Sequence, residues 1–244
     1  MSGEPNNFLK EIDMVKAHIV NHTHWDREWY FTSSDALVLS EQLFTEVIEE
    51  LLTHPEASFV LDGQTSILDD YLVIHPDRLD DIKYLVAEKR LFIGPWFTQT
   101  DAFYAHAESV LRNGMIGIFE SKKYGEYMPI GYLPDTFGFN AQMPVLLEHL
   151  GLDNIIFWRG IHLGKHVKST YFKWSGLGGN AEIYAINMPH GYGTGMLLEP
   201  TSKYVDGRLD PAIEFIEKHS ATSEVLIPSG NDQLNIIHDF SKKL

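Results

Sequence analysis

The sequence predicts an α/β fold built on a mostly parallel sheet, either open or closed into a barrel. Two observations predict it. Short apolar, β-branched runs alternate with longer amphipathic stretches along the whole chain, the pattern of repeated βαβ units. Polar or aromatic residues also stand just past the end of run after run: His24, Asp26, Asp62, Trp96, Asp135, Arg159 and Asp232. In parallel α/β folds the carboxyl ends of the strands form the rim on which active sites are built.

Taken in order, Ala17 to Asn21 reads as the first buried strand. A helix follows, capped by Asp35, with Leu39, Leu43, Val47 and Leu51 on its apolar stripe and Phe44 and Ile48 beside them. Ser58 to Leu61 is a strand ending at Asp62-Gly63-Gln64. Helices over Ile67 to Val73 and Asp77 to Lys89 lead to a strand, Leu91 to Ile93, which ends at Gly94-Pro95-Trp96. Glu108 to Lys123 reads as a helix in spite of Gly114 and Gly117. Ile130 to Leu133 is a strand, Gln142 to Leu150 a helix stopped by Gly151, and Ile155 to Trp158 a strand ending at Arg159. Tyr171 to Trp174 and Glu182 to Asn187 are further strands, Pro211 to His219 a helix, and Val225 to Ile227 a last strand before Asn231-Asp232.

A chain of 244 residues, 44% of them hydrophobic, can bury a core of its own, and without a Pro/Gly/Ser-rich linker or a repeat it reads as one domain. The 34 acidic and 19 basic residues give a net charge of −15, which disfavours nucleic acid and anionic membranes as partners. With no cysteine, any metal must be held by His, Asp, Glu or Asn. No apolar run approaches the ~18 residues that span a bilayer, and the first residues lack the apolar core of a signal peptide. The expectation is a cytoplasmic enzyme.

The densest cluster is His22-Thr23-His24-Trp25-Asp26-Arg27-Glu28-Trp29. In extended chain His22, His24 and Asp26 share a side, and an imidazole with a carboxylate there can bind a divalent ion such as zinc. The competing reading is a polar strand end in which Asp26 pairs with Arg27. Asp135, in Leu133-Pro134-Asp135-Thr136-Phe137, and Asp232, in Gly230-Asn231-Asp232, each follow an apolar strand. They read either as loop and capping residues or as the two carboxylates of a glycosidase. Trp29 and Phe137 are candidate stacking faces for a sugar ring, whereas Phe157 and Trp158 read as core. His190, on the Gly-rich loop Met188 to Gly193, is a candidate substrate contact.

HTHWDREWYF, VLDGQT, IGPWFTQTD, IGYLPDTFG, IFWRG and LIPSGNDQ occur in that order from His22 to Gln233. Together they resemble glycoside hydrolase family 38, the α-mannosidases, and most closely its bacterial branch of mannosylglycerate hydrolases. The resemblance implies a seven-stranded, barrel-like parallel domain acting on terminal α-mannosyl linkages through a covalent mannosyl-aspartate, with one zinc ion. It implies His24, Asp26 and Asp135 as zinc ligands, Asp135 also as nucleophile and Asp232 as general acid/base. Trp29 and Phe137 are implied as walls of the sugar subsite and Arg159 as an arginine beside the nucleophile, which would hold Asp135 ionised; Asp62, Trp96, Asn231 and His190 are further candidate substrate contacts. Asn231 stands where many eukaryotic members carry a second Asp. The family's remaining zinc ligand lies in a segment beyond Leu244, so the chain is expected to be an N-terminal catalytic domain lacking helical and β-sandwich partners. The candidate partners are a mannoside and a second copy of the chain. Two rivals remain: a zinc-dependent carbohydrate deacetylase, and a sugar-binding domain without turnover.

Overall fold

The computed structural model describes residues 15–243. β1 (Lys16–Thr23) is followed by α1 (Ser33–Thr53), β2 (Phe59–Leu61), α2 (Ser66–Ile74), α3 (Leu79–Ala87) and β3 (Leu91–Phe92). Then come α4 (Ala107–Ser121), β4 (Gly131–Leu133), α5 (Met143–His149), β5 (Asn154–Phe157), β6 (Tyr171–Ser175) and β7 (Glu182–Asn187). The short α6 (Ser202–Tyr204), α7 (Asp210–Lys218) and β8 (Glu224–Ser229) complete the domain. Among the described residues no helix is long and apolar enough to cross a membrane.

The strands form two ladders, β3-β2-β1-β8 and β4-β5-β7-β6. Every pairing is parallel except β6 on β7. The expected parallel strands are therefore present, and β6 is an antiparallel strand added at an edge. The connection from β6 to β7 covers only Gly176 to Ala181, too short for the crossover that a parallel pair needs. The ladders face one another: Val60, Phe92 and Leu226 of one meet Ile130, Tyr132 and Ile156 of the other around Met128 and Met188. Backbone bonds cross both seams, from Met128 N–H to the Ile93 carbonyl and from Gly195 N–H to that of Pro228, each 2.7 Å.

Helices cover the outer faces. The inner side of α1 (Leu43, Phe44, Val47, Ile48, Leu51) packs with Ile67, Leu68 and Tyr71 of α2 and with Ile82 and Leu85 of α3. Thr32, not Asp35, is the N-cap of α1. Asp35 completes a capping box by accepting the Thr32 N–H at 2.9 Å. Leu39 lies outside the buried face, where Ala36 and Ser40 take its expected place. Residues 76–78 form a separate 3₁₀ turn ahead of α3 because Pro76 starts a new helical segment. α4 keeps its two glycines for contact: a Cβ on Gly117 would lie 2.2 Å from the Trp96 carbonyl carbon, and one on Gly114 would strike the Leu150 side chain. That close approach pulls the strand end at Trp96 against the helix.

Candidate active site

β1 and β8 run side by side in register from Lys16↔Glu224 to Asn21↔Ser229, and an isolated parallel bridge continues the pairing to His24↔Asp232. The His24 N–H donates to the Asn231 carbonyl at 3.1 Å, and the Gln233 N–H to the His24 carbonyl at 2.9 Å. Register alone thus sets these two residues beside each other. Asp135 follows β4, Arg159 follows β5 and Tyr192 lies on the loop after β7. All five line one open cavity of about 440 Å³, together with Asp26, Trp29 and Phe137.

His24 is held from behind. Its Nδ1 lies 3.0 Å from a carboxylate oxygen of Asp62, which is completely buried and also accepts the Trp25 N–H at 3.0 Å and the Gln64 side-chain amide at 2.8 Å. Asp62 reaches back in this way from a left-handed turn, φ 47°, which few residues other than Asn, Asp and Gly adopt readily. The other ring nitrogen, Nε2, is buried and makes no hydrogen bond, although Asp26 Oδ1 is 3.5 Å away. Burial pulls the imidazole pKa down, but Asp62 and then Asp26 outweigh it and leave His24 well above the usual histidine value. Asp26 is not spent on Arg27, whose guanidinium forks onto Asp70 at 2.6 and 3.1 Å.

Arg159 donates through Nε to Asp135 at 2.8 Å, and a second bond from Nη2 reaches the same oxygen. The guanidinium is stacked 3.9 Å from the Trp158 ring and 4.2 Å from that of Phe137. Burial pushes the Asp135 carboxyl above its ordinary pKa, and Arg159 reverses this only in part. The expected net lowering is therefore not seen, because removal from water is the larger effect. Across the cavity the Tyr192 hydroxyl donates to Asp232 Oδ1 at 2.6 Å. Burial first, and Asp232 next, push the Tyr192 phenol far up, so it keeps its proton and acts as a donor.

Residues 14–242 match the profile of the family described as "Glycosyl hydrolases family 38 N-terminal domain". The chain belongs to glycosyl hydrolase family 38. The protein named "Putative mannosylglycerate hydrolase" in Halalkalibacterium halodurans is 41% identical over 147 residues, 59% of this chain and 16% of that protein. Alpha-mannosidase G of Dictyostelium discoideum is 26% identical over 170 residues, 67% of this chain and 15% of that protein. An α-mannosidase structure from Enterococcus faecalis V583 superposes with a TM-score of 0.88 at 31% identity, over 94% of this chain and 26% of that one. A 4-α-glucanotransferase from Thermococcus litoralis shares the fold, with a TM-score of 0.62 at 13% identity. This family 38 domain thus spans 16% and 15% of the two curated relatives' length.

Four of the residues singled out in the sequence lie off the cavity of this family 38 domain. Asp62 touches His24 and not the opening. Trp96 is fully buried, its indole N–H bonded to the Tyr132 carbonyl at 2.9 Å. Asn231 turns its amide to Met196 and accepts the Asp232 N–H through Oδ1. His190 packs its ring 4.8 Å from that of Phe215. Trp29 and Phe137, by contrast, stand half-exposed on the cavity wall. Tyr192 was not singled out in the sequence, although it follows a strand end on the same loop as His190. Among the described residues no three His, Asp or Glu side chains are gathered closely enough to form a ready ligand set. Asp135 is engaged by Arg159 and lines the same cavity as His24 and Asp26.

Proposed function

We propose that this domain carries the catalytic site of a retaining α-mannosidase assisted by one divalent ion, with zinc the metal that suits the donors. The observation that carries the reading is the pair of strand-end carboxylates, Asp135 and Asp232, on one cavity with His24 and Asp26. The retained family relationship supports mannosides as the substrate class.

Asp135 attacks the anomeric carbon as the bond to the leaving oxygen breaks, giving a mannosyl-aspartate. Asp232 supplies the proton that the leaving oxygen takes up. In the second half Asp232 removes a proton from water, water attacks the same carbon and the Asp135 ester is cleaved. Arg159 fixes the attacking carboxylate by two bonds to one oxygen, which leaves the second oxygen for the sugar. Tyr192 occupies Asp232 Oδ1 and leaves Oδ2 to handle the proton. Trp29 and Phe137 offer ring faces to the C–H face of the sugar.

His24, Asp26 and Asp135 are the residues that would hold the ion. The unpartnered His24 Nε2 fits this role, since its ring is fixed by a carboxylate on the opposite nitrogen, the usual support of a metal-binding histidine. A proton and a metal compete for that lone pair. When bound, the ion would orient sugar hydroxyls and stabilise developing charge.

The test is mass spectrometry of the 244-residue chain, supplied with zinc, after exposure to a 2-deoxy-2-fluoro mannosyl fluoride. A mannosyl adduct on Asp135 is expected. Turnover of an aryl α-mannoside with no adduct, or an adduct elsewhere, rejects the assignment. Mannoside binding with neither adduct nor turnover would make the chain a sugar-binding domain.

A further inference from the structure

α4 presents two unlike faces. Val110, Gly114, Gly117 and Ser121 are buried against the domain. A helix advances about 100° per residue, so the opposite face carries Glu108, Arg112, Met115, Ile116 and Phe119, and Lys123 continues it just past the last turn. The outer face of a surface helix is normally polar. Here its middle is apolar: Met115, Ile116 and Phe119 are 62%, 46% and 64% exposed. Single exposed apolar side chains are ordinary, but adjoining ones rimmed by charge mark an interaction site.

The rim has an order. Glu108 stands at the amino end of the face, Lys122 and Lys123 at the carboxyl end. Glu108 pairs with Arg112 at 2.7 Å and Lys123 with Glu120, exposed contacts of small value that leave charge for another partner. Acid first and base last also suits the helix dipole, but the dipole gives no reason for the apolar middle. The point between Met115 and Ile116 is the centre of the whole pattern. Arg112 and Phe119 are equally far from it along the chain, and so are Glu108 and Lys123. A second α4 laid antiparallel across that point sets Met115 on Ile116, Arg112 on Phe119 and Glu108 on Lys123. Apolar then meets apolar, a guanidinium meets an aromatic ring and acid meets base. A parallel copy would bring acid to acid and base to base. A twofold axis perpendicular to the helix produces the antiparallel arrangement from one surface.

We propose that the outer face of α4 is the interface of a homodimer, in which two copies of α4 pack antiparallel about an axis between Met115 and Ile116. A crossing angle near about 20°, a favoured helix packing, keeps the charged ends, about 11 Å from the centre, within each other's reach. One helix face makes a small interface, under about 1,200 Å², so the dimer exchanges readily with monomer. None of these residues lines the catalytic cavity, and the interface stands or falls apart from mannoside chemistry.

The test is sedimentation velocity of the 244-residue chain across micromolar concentrations. A reversible monomer–dimer equilibrium is expected. Phe119→Lys sets a second cation against Arg112 and should weaken the dimer roughly tenfold or more, with circular dichroism unchanged. Glu108→Lys should weaken it too, and adding Lys122→Glu and Lys123→Glu to that variant should restore it. Because the chain has no cysteine, Ile116→Cys places a single thiol beside the axis. Mild oxidation should link its copies, whereas Val38→Cys, at an exposed position of α1, should stay unlinked. A chain monomeric throughout, which would leave the face to a different polypeptide, would overturn the proposal. So would a dimer indifferent to Phe119→Lys, no recovery on reversing the charges, or equal cross-linking at the two cysteines.

Discussion

Asp62 grips His24 from the side away from the cavity, 3.0 Å from Nδ1, so the nitrogen left for the site is Nε2. The first prediction follows from that grip. Asp62→Asn should keep the side chain's size but lose the carboxylate that fixes the ring. Zinc affinity, read by competition with a chromogenic chelator, should fall about 10- to 100-fold. Unchanged affinity in a folded variant would remove Asp62 as the residue that orients His24.

The two carboxylates should separate by leaving group. Asp135→Ala should abolish hydrolysis of every mannoside. Asp232→Ala should still transfer mannose from an aryl mannoside with a good leaving group, which needs little protonation, and azide should speed its second step. Equal loss by both variants, with no azide effect, would count against Asp232 as acid/base.

Tyr192→Phe removes the hydroxyl that meets Asp232 at 2.6 Å. A hydrogen bond to a charged group is worth about 1.5–3 kcal/mol, so kcat on a poor leaving group should fall roughly tenfold or more. KM should change less, since the phenol is proposed to act through Asp232. A KM effect with kcat intact would place Tyr192 on the substrate instead.

Stability should depend on pH through the contact between α1 and the segment after β8. His238 Nδ1 lies 2.8 Å from Glu50, whose carboxyl also accepts the Asp239 N–H at 2.8 Å. The hydrogen bond to Glu50 raises the His238 pKa above 6.5. Burial pushes the Glu50 carboxyl up, but the bonds from His238 and Asp239 more than reverse it and leave it below 4.5. The histidine's contribution is complete below about pH 6.5 and fades as pH rises through its folded pKa. The carboxylate's is complete above about pH 4.5 and fades as pH falls through its own. His238→Gln should therefore lower the melting temperature most near pH 5.5 and least above pH 9. A loss independent of pH would show that the pair contributes by packing alone.

Gly117→Ala should be among the most damaging small substitutions, because the new methyl meets backbone atoms of Trp96 and Phe97 at 2.2 and 2.3 Å. Overpacking of this kind costs about 1–3 kcal/mol or more. The expected drop in melting temperature is about 5 °C or greater. An unchanged melting temperature would mean that α4 moves freely away from the strand end.

Most of the cavity was legible because the strand-end rule needs only the limits of apolar runs. It picked out His24, Asp26, Asp135, Arg159 and Asp232, which the fold brings to one opening. It cannot say which way a strand-end side chain turns. Asp62 and Asp135 look alike in sequence, yet the left-handed turn at Asp62 sends its carboxylate behind His24. Trp96 was drawn off the rim by the tight packing of Gly117. Tyr192 was hidden by the length of the loop after β7, where distance from the strand no longer signals position. The direction of β6 was readable in principle, since the residues before β7 are too few for a crossover.

The pairing of β1 with β8 sets a schedule for the nascent chain. Thr23 and Asn231, which meet at the end of this ladder, are 208 positions apart in the chain. A contact of such long range closes late, after the loop entropy of nearly the whole domain has been lost. On the ribosome His24 is made long before Asp232 and gains it as a neighbour only when β8 emerges. Until then β1 keeps one unpaired edge, a template for other unfinished chains. Halting translation before Glu224 should therefore leave a polypeptide that needs a chaperone, with no partial activity to show for the strands already made.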